Sequence, residues 1–371
     1  MLVVVASDKF KGSVGSDEVA AAVGDGLRLG RPEVEVDWVP VADGGDGTLA
    51  AVVAAGFELV PVTAAGPTGE PVLSGYARRG DTAVVELADV CGLVRLPGGR
   101  PAPMTASSRG VGEVLAAAIA DGCSRVILGI GGSASTDGGA GLIRALGAQV
   151  LDARGEEVPE GGAGLLAAES LELAAIRERL QGVDLVIACD VDNPLTGPTG
   201  AAATYGPQKG ATPGDVEELD KAMAHWADLV TSSVGRDERE AAGAGAAGGV
   251  GFVGVAVLGA ELRAGIGLML ELAGFDERVR GADLLVTGEG KLDEQTLRGK
   301  AVVGVAAAGV AAGVPVVAVC GVNTLEGEQL REVGVAKAYA LNDLEPDVQR
   351  CIADPVPLLR MLGERIAADL R

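Results

Sequence analysis

The sequence predicts an α/β protein of two domains with mainly parallel sheets, one domain discontinuous and the other inserted into it. Three observations carry this reading. Short apolar, β-branched runs alternate with helical segments along the chain, the pattern of strands connected by covering helices. The length of 371 residues exceeds that of an ordinary single domain. Hydrophobic residues make up 48% of the chain but aromatic ones only 2%, so ample core is available and it is built from Val, Leu, Ile and Ala. The 58 glycines follow no repeat, which points to tight turns and close backbone approaches rather than disorder. Residues 1–90 with 285–371 are expected to form the discontinuous domain, and 91–284 the insertion.

The elements follow in order. Leu2–Ala6 reads as a buried strand, and a helix from about Ser16 to Leu29 follows, with Ser16 placed to cap it and Asp17 and Glu18 in its first turn. A strand near Glu35–Pro40 leads into Ala42–Thr48 and a helix. Val72–Ala77 and Thr82–Leu87 predict an antiparallel hairpin turning at Arg78–Asp81. Beyond residue 105 come a helix over Ser108–Asp121, a strand at Arg125–Gly129, a glycine-rich loop to Gly139 and a helix toward Leu146. Leu185–Cys189 is a further buried strand. Helices are predicted over Asp215–Ser232 and Leu258–Ala273, strands at Leu284–Thr287 and Val316–Cys320, and a last helix over Val356–Leu370.

Charge and composition exclude several classes. Lys and Arg number 30 against 52 Asp and Glu, a formal charge of −22. Such a chain repels phosphate backbones and anionic lipid, so neither a nucleic acid nor a membrane is expected as partner. The five cysteines form no C-x-x-C pair and read as reduced core residues, and the single histidine, His225, excludes a His-based zinc site. The opening lacks a basic n-region. The uncharged stretches Ala241–Ala260 and Ala301–Leu325 are interrupted by glycine or proline, so a cytoplasmic protein is expected.

Five polar segments each follow a strand, where α/β proteins bind ligands. Ser7–Ser13 carries Asp8, Lys9 and Lys11. Asp43–Thr48 sets Asp43 and Asp46 among glycines, which suits Mg²⁺ or a substrate hydroxyl. Gly129–Gly139 holds Gly131, Gly132, Ser133, Thr136, Asp137 and Gly138, a phosphate-cradle composition that is not a Walker A sequence. Asp190-Val191-Asp192-Asn193-Pro194 ends a buried strand on two carboxylates and an amide, groups that a kinase needs for a hydroxyl proton and for Mg²⁺. Its companion Tyr205–Gly210 adds Gln208 and Lys209. Gly288–Thr296 supplies Glu289, Lys291 and Asp293, with Lys300 beyond. Gly249–Gly254 satisfies G-x-G-x-x-G, but no strand precedes it, so it is not read as a dinucleotide site.

Taken together, Asp8–Ser13, Ala42–Thr48, Gly131–Ser133 with Asp137–Gly139, Cys189–Leu195, Gly206–Ala211 and Thr287–Gly290 with Asp293, Gln295 and Thr296 resemble the bacterial type I glycerate kinase family. The resemblance spans nearly the whole chain, in the same order. Lys9 stands where the family usually has Ser, Asp46 where it has Glu, and Thr136 where it has Asn.

The resemblance implies phosphorylation of D-glycerate by ATP with Mg²⁺, usually to 2-phosphoglycerate, in a cleft between two α/β domains. On that basis Asp190 is expected to act on the substrate hydroxyl, with Asp43 as rival and Lys11 as a charged participant. Substrate contacts are expected from Asp8, Lys11, Lys209, Gln208 and Asn193. Gly131, Gly132, Ser133, Thr136 and Gly138 are expected at the ATP phosphates, and Asp137, Asp192, Glu289 and Asp293 toward Mg²⁺. A Mg-dependent phosphatase or a non-catalytic sensor of a small sugar acid is the alternative, and a homodimer is left open.

Overall fold

A computed structural model describes residues 1–298 and 301–370. Its strands are β1 (Leu2–Ser7), β2 (Glu35–Trp38), β3 (Glu58–Ala65), β4 (Pro71–Arg79), β5 (Thr82–Glu86), β6 (Arg125–Gly129) and β7 (Gln149–Leu151). They continue with β8 (Ser170–Glu172), β9 (Asp184–Ala188), β10 (Glu261–Arg263), β11 (Leu284–Leu292), β12 (Val316–Asn323) and β13 (Lys337–Ala340). The chain divides into two compact units, one formed by 1–43 with 266–371 and the other by 44–265.

The first unit is built on a parallel sheet in the order β13-β12-β11-β1-β2. Successive residues of a strand face opposite sides, and β1 uses this fully. Val3 and Val5 pack with the helices Ser16–Gly30 and Pro355–Asp369, whereas Val4 and Ala6 pack with the helix Ala301–Ala311. Strand order reverses between β1 and β11, a topological switch point of the kind where open α/β sheets bind ligands. Register sets Ser7 opposite Gly288, so Asp8 leaves the end of β1 next to Glu289, which continues in β11 against β12.

The second unit carries a sheet in the order β10-β9-β6-β5-β4-β3, parallel from β10 to β5 and antiparallel over β5, β4 and β3. Glu86, Gly129 and Ala188 pair across the sheet and align the ends of β5, β6 and β9. The two-stranded sheet β7-β8 lies apart from it.

Two expectations need correction. The division falls after Asp43 and Gly265 rather than near 90 and 285. The predicted hairpin is present as β4–β5, but β5 bonds to β6, and this commits residues 44–90 to the middle of the chain. The helix expected over Leu258–Ala273 is interrupted: Glu261–Arg263 forms the edge strand β10 beside β9, and the helix starts only at Gly265.

Glycine also sets the helix pairing of the first unit. A Cβ on Gly26 would lie 1.9 Å from the Arg360 carbonyl oxygen, and one on Gly363 would lie 2.3 Å from that of Val23. Both are backbone atoms, so neither clash can be relieved by a rotamer change. Gly26→Ala is therefore expected to destabilise by about 1–3 kcal/mol in a thermal or urea melt, the usual cost of overpacking. Gly267→Ala, at an exposed helical position with nothing within 4 Å of the added Cβ, should be neutral or stabilising by up to about 1 kcal/mol.

Candidate active site

In the second unit the glycine-rich loop after β6 is held from several sides. Asp137 is its hub. Its carboxylate accepts hydrogen bonds from the Ser108 amide and hydroxyl at 2.8 Å each and from the Gly139 and Gly141 amides at 3.2 Å. Asp137 is 1% exposed. Burial pushes its carboxyl up, and the bonds from Ser108, Gly141 and Gly139 oppose that shift. Ser108 completes the join by accepting from the Leu142 amide at 3.0 Å. The Trp226 indole donates to the Gly138 carbonyl at 3.0 Å, and the Gly138 amide donates to the Gly248 carbonyl at 2.9 Å. Lys209, 3% exposed, donates its ammonium to the Ser135 carbonyl. Desolvation lowers its pKa to about 8, against a raising effect of Asp137.

These positions correct part of the expected site. Asp137 is enclosed by donors and does not have the geometry of a metal ligand. The Thr136 hydroxyl is buried without a hydrogen-bond partner, so it is not presented to a phosphate. Ser133 is buried with its hydroxyl turned to Ser135 and the Ala247 carbonyl, and Gly138 is buried against Trp226. The half-buried Gly131 and exposed Gly132 are what the loop offers outward, and Gly132 has φ +75°. The outward face of the loop is thus glycine backbone rather than hydroxyls.

Residues Gly44–Thr48 are laid against the same strand ends. The Gly131 amide donates to the Gly44 carbonyl at 3.2 Å. Glu86, at the end of β5 and 4% exposed, accepts from the Gly47 amide at 2.9 Å and the Leu49 amide at 2.8 Å. Its carboxylate therefore occupies amides at the start of this helix. Burial raises the Glu86 carboxyl, and these two amide bonds oppose it. Glu86 was not among the expected residues, although it ends an apolar strand just as Asp190 does. Asp46 is exposed on this loop.

Asp190 and Asp192 are exposed after β9, and Asp190 accepts from the Gly265 amide at 2.8 Å. Asn193 is committed to its own turn. Its amide donates to the Thr199 carbonyl at 2.8 Å, and its oxygen accepts from the Tyr205 hydroxyl at 2.6 Å. That commitment argues against its expected contact with substrate. Gln208 is exposed, in contrast to its neighbour Lys209.

In the first unit, Asp8 sits at the switch point. Its amide donates to the Gly288 carbonyl at 2.9 Å, and its carboxylate accepts from the Lys9 amide at 2.7 Å. Desolvation raises its pKa to about 6, Asp43 adds to the rise and Glu289 contributes further. Glu289, 9% exposed, accepts from the Thr296 hydroxyl at 2.5 Å. Asp293 caps the next turn through the Gln295 amide at 2.9 Å and pairs with Lys291 at 3.1 Å. Lys11 and Asp43 are exposed. Lys300 lies outside the described residues.

Among the described residues, no group of three or more His, Cys, Asp and Glu side chains is arranged to hold a metal ion. The exposed carboxylates of Asp190, Asp192 and Asp46 are hard oxygen donors of the type Mg²⁺ takes, and that ion ordinarily completes its shell with water and phosphate oxygens. The donor set therefore fits a magnesium ion brought in with a nucleotide, not a preformed cage.

The glycerate kinase family model matches residues 3–371. The chain belongs to the glycerate kinase family. It is 41% identical to a glycerate kinase of Bacillus subtilis over 92% of this chain and 90% of that one. It is 38% identical to the glycerate 2-kinase of Escherichia coli, again over 92% and 90%. A crystal structure of putative glycerate kinase 2 from Salmonella typhimurium LT2 superposes with a TM-score of 0.86 at 37% identity, covering 100% of this chain and 98% of that one. The α/β fold is that of the family, and the enzyme is a phosphotransferase.

The raised pKa of Asp8 has a stability consequence. The folded state holds more protons than the unfolded chain between 3.8 and about 6, so stability falls as pH rises through that window. Asp8→Asn keeps an acceptor for the Lys9 amide and removes the charge. At neutral pH, without magnesium, it is expected to stabilise the protein by about 2 kcal/mol, with the gain vanishing below about pH 4. An Asp8→Asn melt no higher than wild type at neutral pH would contradict the assignment.

Proposed function

We propose that the chain transfers the γ-phosphoryl group of ATP, with Mg²⁺, to a hydroxyl of D-glycerate, giving 2-phosphoglycerate, as a cytoplasmic enzyme. Family membership supports the glycerate substrate. The observation that carries the nucleotide part is the Gly129–Gly139 loop, whose outward face is glycine backbone at the end of a parallel strand, held rigid by buried side chains. Backbone amides in such a loop suit phosphate oxygens.

Each remaining group then has a task. ATP supplies the phosphoryl group, and Mg²⁺, held through carboxylates such as Asp192 and phosphate oxygens, offsets charge on the triphosphate. Lys11 is exposed in the loop after β1 and is assigned to the glycerate carboxylate, with Asp8 and Gln208 as further substrate contacts. Asp190, fixed by the Gly265 amide, orients the attacking hydroxyl and takes its proton, and Asp43 is the rival for that step. Glu289 and Asp293 remain candidates for indirect contact with the metal ion through water. Phosphoryl transfer asks a protein chiefly for such positioning and charge stabilisation.

ADP release should require both Mg²⁺ and D-glycerate. Proton-coupled ³¹P NMR separates the products, because phosphorus on the C2 oxygen splits to a doublet and on the C3 oxygen to a triplet. ADP release that ignores the hydroxy acid would mean an ATPase instead, and phosphate release from phosphoglycerate without nucleotide would mean a phosphatase.

Two substitutions test the assigned roles. Lys11→Ala should raise the glycerate KM about ten- to a hundred-fold, the worth of a charge-assisted hydrogen bond. Asp190→Asn should lower kcat by about 10²–10⁴ with little change in either KM. Recovery of the mutant's rate in excess Mg²⁺ would instead make Asp190 a metal partner and leave Asp43 as the group acting on the hydroxyl.

A further inference from the structure

Lys209 carries an inference that its sequence context does not suggest. It follows the exposed Gln208 in a short turn, Pro207–Lys209, closed by Gly210 at φ +89°, yet its own side chain is 3% exposed. A buried ammonium is costly unless the fold gives it partners. The partner here is the main-chain carbonyl of Ser135, in the middle of the glycine-rich loop. Asp137, two residues on, is close enough to favour the charged form.

The same carbonyl is also approached by backbone. A Cβ on Gly248 would lie 2.2 Å from the Ser135 carbonyl oxygen, and one on Gly249 would lie 2.6 Å from the Gly138 Cα. Ala247, beside them, has φ +51°, the one left-handed non-glycine conformation among the described residues. Strain of that kind persists where the surroundings over-determine it. The stretch Ser135–Gly138 is thus held both by the 247–249 segment and by the Lys209 ammonium.

We infer that Lys209 is a positioning residue for nucleotide binding, acting through Ser135 to set the outward backbone of Gly131 and Gly132, and is not the anchor of the glycerate carboxylate. The inference rests on the reading of this loop as the phosphate site. It separates two of the cations in the motif set: Lys11 reports on glycerate and Lys209 on ATP.

The test combines kinetics with hydrogen–deuterium exchange on the full chain. In wild type, MgADP should slow exchange of peptides spanning 129–139. Without nucleotide, Lys209→Met should speed exchange of those peptides while others stay unchanged. It should raise the ATP KM about ten-fold, as expected for one lost charge-assisted bond, and leave the glycerate KM within about two-fold. Lys209→Gln, which keeps a donor, should show a smaller change of the same kind and serves if the methionine variant does not fold. No MgADP protection of 129–139 in wild type would remove the phosphate-loop reading itself. Protection in wild type, combined with unchanged loop exchange and ATP KM in both variants, would overturn the role of Lys209. A rise confined to the glycerate KM would return Lys209 to the substrate.

Discussion

The enclosure of the Asp137 carboxylate is the constraint on which the second unit's chemistry depends. A glycine-rich loop has high conformational freedom, and ordering it is unfavourable in proportion. Asp137 offsets that cost by collecting amides from the starts of two helices: Ser108 before the helix Arg109–Ala120, and Gly139 and Gly141 at the start of the helix Ala140–Ala145. Lys209 and Trp226 then fix the carbonyls of Ser135 and Gly138. Polar groups in the loop's interior are spent on its shape, and only backbone remains for a ligand. Such a surface is geometrically rigid and electrically neutral, which suits an anion in a chain whose formal charge is −22.

Carboxylates, not cations, crowd the strand ends, and they differ in how tightly they are held. Glu86 and Glu289 are buried on donors. Asp190 is exposed with one amide fixing it. Asp8 is partly buried near Asp43 and Glu289, and its pKa rises to about 6. A group held in that state destabilises the folded protein, a cost proteins accept mainly where function needs it. The same repulsion falls when a cation arrives. The buried acids are therefore committed to internal donors, whereas the exposed acids face solvent.

The sequence made much of this legible, because hydrophobic runs and their polar exits are local signals. Strands Arg125–Gly129 and the first residues of β11 and β12 were readable as apolar runs ending at glycine or acid. The exposed position of Asp190 after β9 follows the same rule. The edge strands of the second unit's sheet were not readable in that way. β3 carries Pro61 and exposed alternate residues, which mask it although its partner β4 is the next strand, and β10, only three residues long, owes its pairing to β9 far back in the chain. Thr136, Asp137 and Lys209 were readable as members of a site but not as buried ones, since burial of a polar side chain depends on partners that spacing does not reveal. The roles of Ser108 and Glu86 were missed for the same reason: each serves a backbone amide in another segment.

Glycine links two motifs that look independent in the sequence. A Cβ on Gly129 would lie 2.5 Å from the Gly44 carbonyl oxygen, one on Gly131 would lie 2.6 Å from the Gly45 Cα, and one on Gly44 would lie 2.7 Å from the Ala188 Cβ. The loop at 44–47 and the loop at 129–132 therefore touch backbone to backbone, a separation that no side chain permits. Glu86 holds the first loop and Asp137 the second, so two buried carboxylates fix one composite surface. Displacing either loop moves the other, since close-packed interiors transmit small shifts. The glycine content of these motifs is thus only partly a matter of conformational freedom. Its larger role is to let two loops, each on its own buried acid, close on one another above the ends of β5, β6 and β9.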